Sequence, residues 1–106
     1  MSGTWTLDAI QHSGVQRLVQ ELVRRVQPKK VVLFGSRAAG KARKTSDFDF
    51  AVYFDSIQSE AFSRFVVDAD ETLETLLKID WVNAAQCSNE MSQSILTTGI
   101  TIYEAT

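Results

Sequence analysis

The sequence predicts an α+β fold: a small mixed β-sheet with helices packed mainly on one face. Three observations predict it. Two segments repeat apolar residues at helical spacing, and short β-branched and aromatic runs of strand length lie between them. The first two of those runs are joined by about a dozen residues, too few for a full helical crossover, so they are expected as neighbours in a mixed or antiparallel sheet. With 106 residues, 44% hydrophobic and 23% charged, the composition is that of one globular domain, taken as residues 1–106.

The elements follow in order. Val15, Leu18, Val19, Leu22, Val23 and Val26 mark one face of an amphipathic helix, with Ser13 as N-cap and Pro28, which has no N–H to donate, closing the segment. "KKVVLF" is a strand ending at Gly35, and "FDFAVYF" is a second. Phe62, Phe65, Val66, Ala69, Leu73 and Leu76 repeat the helical spacing, with Ser59 and Glu60 at the start. "KIDWVNA" reads as a third strand. "SNEMSQSILTT" is a short helix capped by Ser88 and stopped at Gly99, before a terminal strand "ITIYE". Trp81 points away from its neighbour Asp80 and is assigned to the core, and lone His12 to an exposed, non-catalytic position.

Composition also excludes. Cys87 is the single cysteine and cannot form an internal disulfide, and His12 alone cannot complete a zinc set. No apolar run approaches the roughly 20 residues that span a bilayer, and the first residues lack the basic start and apolar stretch of a signal peptide. A cytoplasmic location away from membranes is expected. The formal charge of −2 argues against a general nucleic-acid surface, and no direct nucleic-acid contact is expected. Arg37, Lys41, Arg43 and Lys44 nevertheless cluster in an acid-free stretch, directly ahead of Asp47 and Asp49.

That stretch, "VVLFGSRAAGKARKTSDFDFAVYF", has two readings. Gly35 to Lys41 spells most of a phosphate-binding P-loop. However, Ala42 stands where Ser or Thr should bind Mg²⁺, and no long helix follows to aim its N-terminus at phosphates. The other reading places the chemistry on the aspartates. Residues two apart in a strand share a face, so Asp47 and Asp49 project together while Phe48, Phe50, Val52 and Phe54 enter the core. The carboxylate face is expected to be open. Two like charges this close are unfavourable until a cation neutralises them; hard divalent cations prefer such oxygens, and the upstream basic turn supplies a matching phosphate site.

Gly35-Ser36, ten residues, then Asp47-Phe48-Asp49 resembles the G-S-x(10)-D-x-D signature of the minimal nucleotidyltransferases, small members of the DNA polymerase beta superfamily. The likeness extends from about Val31 to Glu104, with Asp80 where that family carries a third carboxylate. It implies a polymerase-beta-like palm fold and Mg²⁺-dependent transfer of AMP from ATP, a nucleoside triphosphate, to an acceptor hydroxyl. By the same resemblance Asp47, Asp49 and Asp80 are the catalytic, metal-binding residues for two Mg²⁺ ions. Gly35, Ser36, Arg37, Lys41 and Lys44 contact the nucleotide, with Arg43 a further candidate. Ala39 stands where relatives commonly have arginine. The short chain leaves acceptor recognition to another molecule, and the family is typically paired with a small all-helical HEPN-type protein, so an antitoxin that adenylylates a tyrosine of a cognate toxin is the leading expectation. A homo-oligomer stays open. The alternative is a noncatalytic, nucleotide-binding antitoxin or scaffold that neutralises its partner by binding; an enzyme modifying a small molecule would need an added acceptor domain.

Overall fold

A computed structural model of the chain describes residues 2–43, 46–72 and 77–106. In chain order these form β1 (Gly3–Trp5), α1 (Ser13–Val26), β2 (Lys30–Phe34), β3 (Phe48–Tyr53), α2 (Ser59–Thr72), β4 (Ile79–Asn83), α3 (Asn89–Thr98) and β5 (Ile100–Ala105). Single 3-10 turns lie at Leu7–Ala9, Ser56–Gln58 and Ala84–Gln86. The strands make one five-stranded sheet in the order β1-β5-β2-β3-β4. β2 and β3 pair antiparallel, as their short link requires, whereas β3 and β4 pair parallel, with α2 in the connection between them. The sheet is therefore mixed.

Alternation along β3 sends Phe48, Phe50 and Val52 to one face, joined there by Val31, Leu33, Ile79 and Ile102. The apolar stripe of α1 and Phe62, Phe65 and Ala69 of α2 close over them to form the main core. Trp81 belongs to it: its ring stacks 5.1 Å from Phe50, and Phe65 meets it edge-on at 5.0 Å. The expected helix positions Leu73 and Leu76 lie outside the described residues. On the other face Val32, Phe34 and Ala51 pack with Val82, Ala84 and Ile95. α3 thus covers part of the face that carries Asp49, which corrects the expectation of an open carboxylate face. Asp49 lies at the end of that face beside Gly35.

α2 starts at Ser59 with Glu60 in its first turn, as expected, whereas the start of α1 differs from expectation. At α1 the cap is His12, whose imidazole Nδ1 accepts the Val15 N–H at 3.2 Å, so Ser13 is the first helical residue. A neutral imidazole nitrogen does the work usually done by a hydroxyl or carboxylate. His12 is accordingly half-buried, its ring edge-on to Phe48 at 6.2 Å. Ahead of α2, Asp55 and Gln58 make a capping box on the 3-10 turn before Ser59, and the Gln58 amide also donates to the Val26 carbonyl at 2.9 Å. That bond ties the start of α2 to the end of α1. α3 ends as expected: the Ser88 hydroxyl accepts the Met91 N–H at 3.2 Å, and Gly99 follows the last turn. β1 was not anticipated. It is three residues long, without periodicity, and exists because β5 offers an edge, against which Trp5 sits opposite Tyr103 with ring centroids 4.6 Å apart.

Candidate active site

The site is built where β2 ends. Phe34, the last residue of β2, is the antiparallel partner of Asp49, so Gly35 leaves the sheet directly beside that carboxylate. Gly35 has φ +77°, and a Cβ there would stand 2.7 Å from Asp49 Oδ2. Both the left-handed backbone and the close approach require glycine. The chain then makes a compact turn: the Ala39 N–H donates to the Gly35 carbonyl at 3.0 Å and the Lys41 N–H to the Ser36 carbonyl at 3.1 Å. Gly40, with φ +73°, turns it outward. Ser36 is exposed at the head of this turn, two residues from the sheet.

The parallel register sets Asp49 beside Asp80 and Phe50 beside Trp81. Partners in register share a face, so the two carboxyls meet on one side while the two aromatic rings stack on the other. Asp49 is half-buried, and its pKa is pushed up to about 6, first by burial, then by the Asp80 charge and a hydrogen bond with the Asp80 carboxyl, then by Asp47. Lys78 acts weakly in the opposite direction; its Nζ lies 3.6 Å from Asp80 Oδ1. Asp47 is exposed, just ahead of β3. Among the described residues no three His, Cys, Asp or Glu side chains are already gathered around one point as a metal cage.

The basic residues separate into different situations. Arg37 is half-buried: its Nε and Nη2 donate to the Ser46 carbonyl at 3.1 and 2.9 Å, and its guanidinium lies 4.2 Å over the Phe48 ring. It braces the glycine turn against the entry of β3, where Asp47 and Asp49 are carried. Lys41 and Arg43 are exposed, and Lys44 lies outside the described residues. Ser46 closes the loop, its hydroxyl accepting the Arg43 N–H at 2.8 Å. Sequence reasoning missed Ser46, Lys78 and Thr98. Thr98 Oγ1 accepts the Gly35 N–H at 2.9 Å across 63 residues of chain, and no local pattern announces such a contact.

The donor set fits a hard divalent cation. All the candidate ligands are carboxylate oxygens, and the pKa of Asp49 is raised first by burial and then by the neighbouring carboxyls, both of which a bound cation would offset. The glycine turn stands so close to the same carboxylate that Gly35 has no room for a side chain, so a polyphosphate lying along the turn would come near the cation's place.

The family model for polymerase beta nucleotidyltransferases matches residues 16–106. Among curated proteins, the protein adenylyltransferase MntA of Aphanizomenon flos-aquae (strain 2012/KM1/D3) is 34% identical over 87 residues, covering 72% of this chain and 57% of the relative. The chain therefore spans a little over half the length of that relative. Solved structures give the same fold. A crystal structure of a toxin–antitoxin complex with AMP-PNP matches with TM-score 0.56 and 24% identity over 84% of this chain and 73% of the other. A variant of the MntA–HpeT toxin–antitoxin pair matches with TM-score 0.53 and 25% identity, over 85% and 72%.

Proposed function

Because the chain belongs to the polymerase beta nucleotidyltransferase family, we propose that it transfers AMP from ATP to an acceptor hydroxyl, a tyrosine of a cognate HEPN-type toxin, and acts as that toxin's antitoxin. The single observation that carries the reading is the convergence of Gly35, which follows β2, with Asp49 of β3 and Asp80 of β4 at one end of the sheet. The adenylyltransferase named among its relatives and the toxin–antitoxin complexes that share its fold support the choice of reaction and partner.

In this reading Asp49 and Asp80, with Asp47 as third ligand, would hold two Mg²⁺ ions. Bound there, the metal supplies charge neutralisation on the phosphate oxygens. The chain's own residues do the rest. The Gly35 turn brings the triphosphate against the sheet end, and the Ser36 hydroxyl donates to a terminal phosphate oxygen. Lys41, exposed on the loop, screens phosphate charge, and Lys44, outside the described residues, is assigned the same role from the sequence motif alone. The acceptor oxygen forms its bond to the α-phosphorus as the bond to the bridging oxygen breaks and pyrophosphate departs, while Asp80 takes the acceptor's proton. Arg37 acts chiefly by holding Phe48, and with it the two aspartates that flank Phe48, in place. Among the described residues no helix is long and apolar enough to cross a membrane.

The test is label transfer. The chain is incubated with Mg²⁺, ATP labelled at the α-phosphate and the helical protein encoded beside it, in parallel with the Asp47→Asn plus Asp49→Asn double variant. Label on a tyrosine of that protein, absent with the double variant, is expected. Toxin neutralisation that proceeds without label and survives the double substitution would overturn the catalytic reading in favour of neutralisation by binding alone.

A further inference from the structure

The glycine turn is fixed on its far side by a residue outside the motif. Thr98 is the last residue of α3, and its Oγ1 has one hydrogen and two lone pairs. The hydrogen goes to the Ser94 carbonyl at 2.7 Å, one helical turn back, so a lone pair is what faces the Gly35 N–H at 2.9 Å. The hydroxyl therefore joins the C-terminal end of α3 to the first residue of the turn. Its own position is set tightly. At the next residue, Gly99, a Cβ would lie 2.3 Å from the Ile95 carbonyl and 2.9 Å from Val32 Cγ1, so the chain can pass from α3 into β5 this closely only because glycine is there. β5 then pairs with β2, with Ile100 opposite Leu33, which places Thr98 across from Gly35 by register.

From this geometry we propose that Thr98 is a positioning residue for the nucleotide site: its hydroxyl holds the Gly35 amide and so sets how closely the Gly35-Ser36 turn stands to Asp49. The inference rests on the nucleotide-binding reading above. Gly35 stands close enough to Asp49 that a Cβ on it would lie 2.7 Å from Oδ2. A turn released from Thr98 has nowhere to relax except away from the carboxylate, and the phosphate site widens. The Gly35 N–H also has only one hydrogen to give, and with Thr98 as its acceptor it serves the architecture of the turn, leaving phosphate contact to residues further along. A hydroxyl bonded in this way contributes to binding by geometry alone, with no contact to the nucleotide.

The experiment compares the native chain, Thr98→Ser and Thr98→Val, all metal-free first and then with Mg²⁺ and ATP. Hydrogen exchange of the Gly35 amide, followed by NMR, reports the bond itself, and calorimetric titration reports nucleotide affinity. Thr98→Val should speed Gly35 exchange at least tenfold while the amides of β2 and β3 keep their protection, and should weaken Mg²⁺–ATP binding about tenfold. Thr98→Ser, which keeps the hydroxyl, should match the native chain in both. Unchanged exchange in Thr98→Val, or faster exchange with unchanged affinity, overturns the positioning role. Equal loss in the Ser and Val variants also overturns it, because the methyl group's packing would then be the cause. A native chain that binds no nucleotide with Mg²⁺ overturns the nucleotide reading itself, and the affinity arm identifies that case before any variant is compared.

Discussion

Replacing Asp49 by asparagine should make the metal-free protein more stable at neutral and alkaline pH, although it removes a carboxylate that the proposed reaction uses. The Asp49 carboxyl has its pKa raised from 3.8 to about 6, with burial as the largest cause and Asp80 and Asp47 adding to it. A raised folded-state pKa means that the folded chain holds this proton more tightly than the unfolded chain does. The stability associated with it is fully present below about pH 4 and is lost as the pH rises through about 6. A gap of about two units corresponds to roughly 3 kcal/mol at most. Asp49 is only half-buried, so solvent screening reduces the effect to about 1–2 kcal/mol. Asparagine keeps the shape, carries no charge and donates to Asp80. Thermal melts in EDTA should therefore show Asp49→Asn melting about 5–10 °C above the native chain at pH 8. The two should coincide near pH 4, where the native carboxyl is protonated. Mg²⁺ should raise the native melting temperature at pH 8 and leave the variant unmoved. A variant less stable than the native chain at pH 8, or a difference independent of pH, would refute the argument that burial and the neighbouring carboxyls disfavour the charged form of Asp49 in the folded state.

Two further substitutions test the frame around the pair. Gly35→Ala places a side chain at φ +77° and 2.7 Å from Asp49 Oδ2; denaturant unfolding should show a loss of about 1–3 kcal/mol, and calorimetry should show ATP binding weakened at least tenfold. Arg37→Ala removes two bonds to the Ser46 carbonyl and the cover on Phe48, so it should cost about 1–3 kcal/mol in the absence of any nucleotide. Lysine at that position, which keeps the charge but not the planar fork, should recover less than half of the loss. A residue used only for phosphate would leave metal-free stability untouched in both variants.

The candidate-site residues Gly35, Asp47 and Asp49 could be picked out from the sequence because they are local. Asp47 and Asp49 are two residues apart and Gly35 ends a strand, so strand periodicity and the needs of a tight turn mark them in a single pass. Helix positions were equally legible, since the apolar stripes of α1 and α2 are written at short range. The misreadings came from longer range or from unusual chemistry. His12 caps α1 through a ring nitrogen, which composition rules assign to serine. The three residues of β1 carry no pattern of their own and pair with the last strand of the chain. The covering of the Asp49 face by α3 depends on where Ile95 packs, and a helix of ten residues with a weak apolar stripe does not announce its target.

Spacing within a few residues marked the three α-helices, four of the five strands, the Asp-Phe-Asp segment that opens β3 and the glycine that follows β2. The tertiary structure alone decided which carboxylate becomes the neighbour of Asp49, since the parallel register of β3 and β4 is set only when α2 packs down and brings Asp80 alongside. It also decided that Arg37 holds Phe48 and that Thr98 holds Gly35. Such contacts join residues whose separation along the chain carries no information, and only the closure of the core fixes the distance between them.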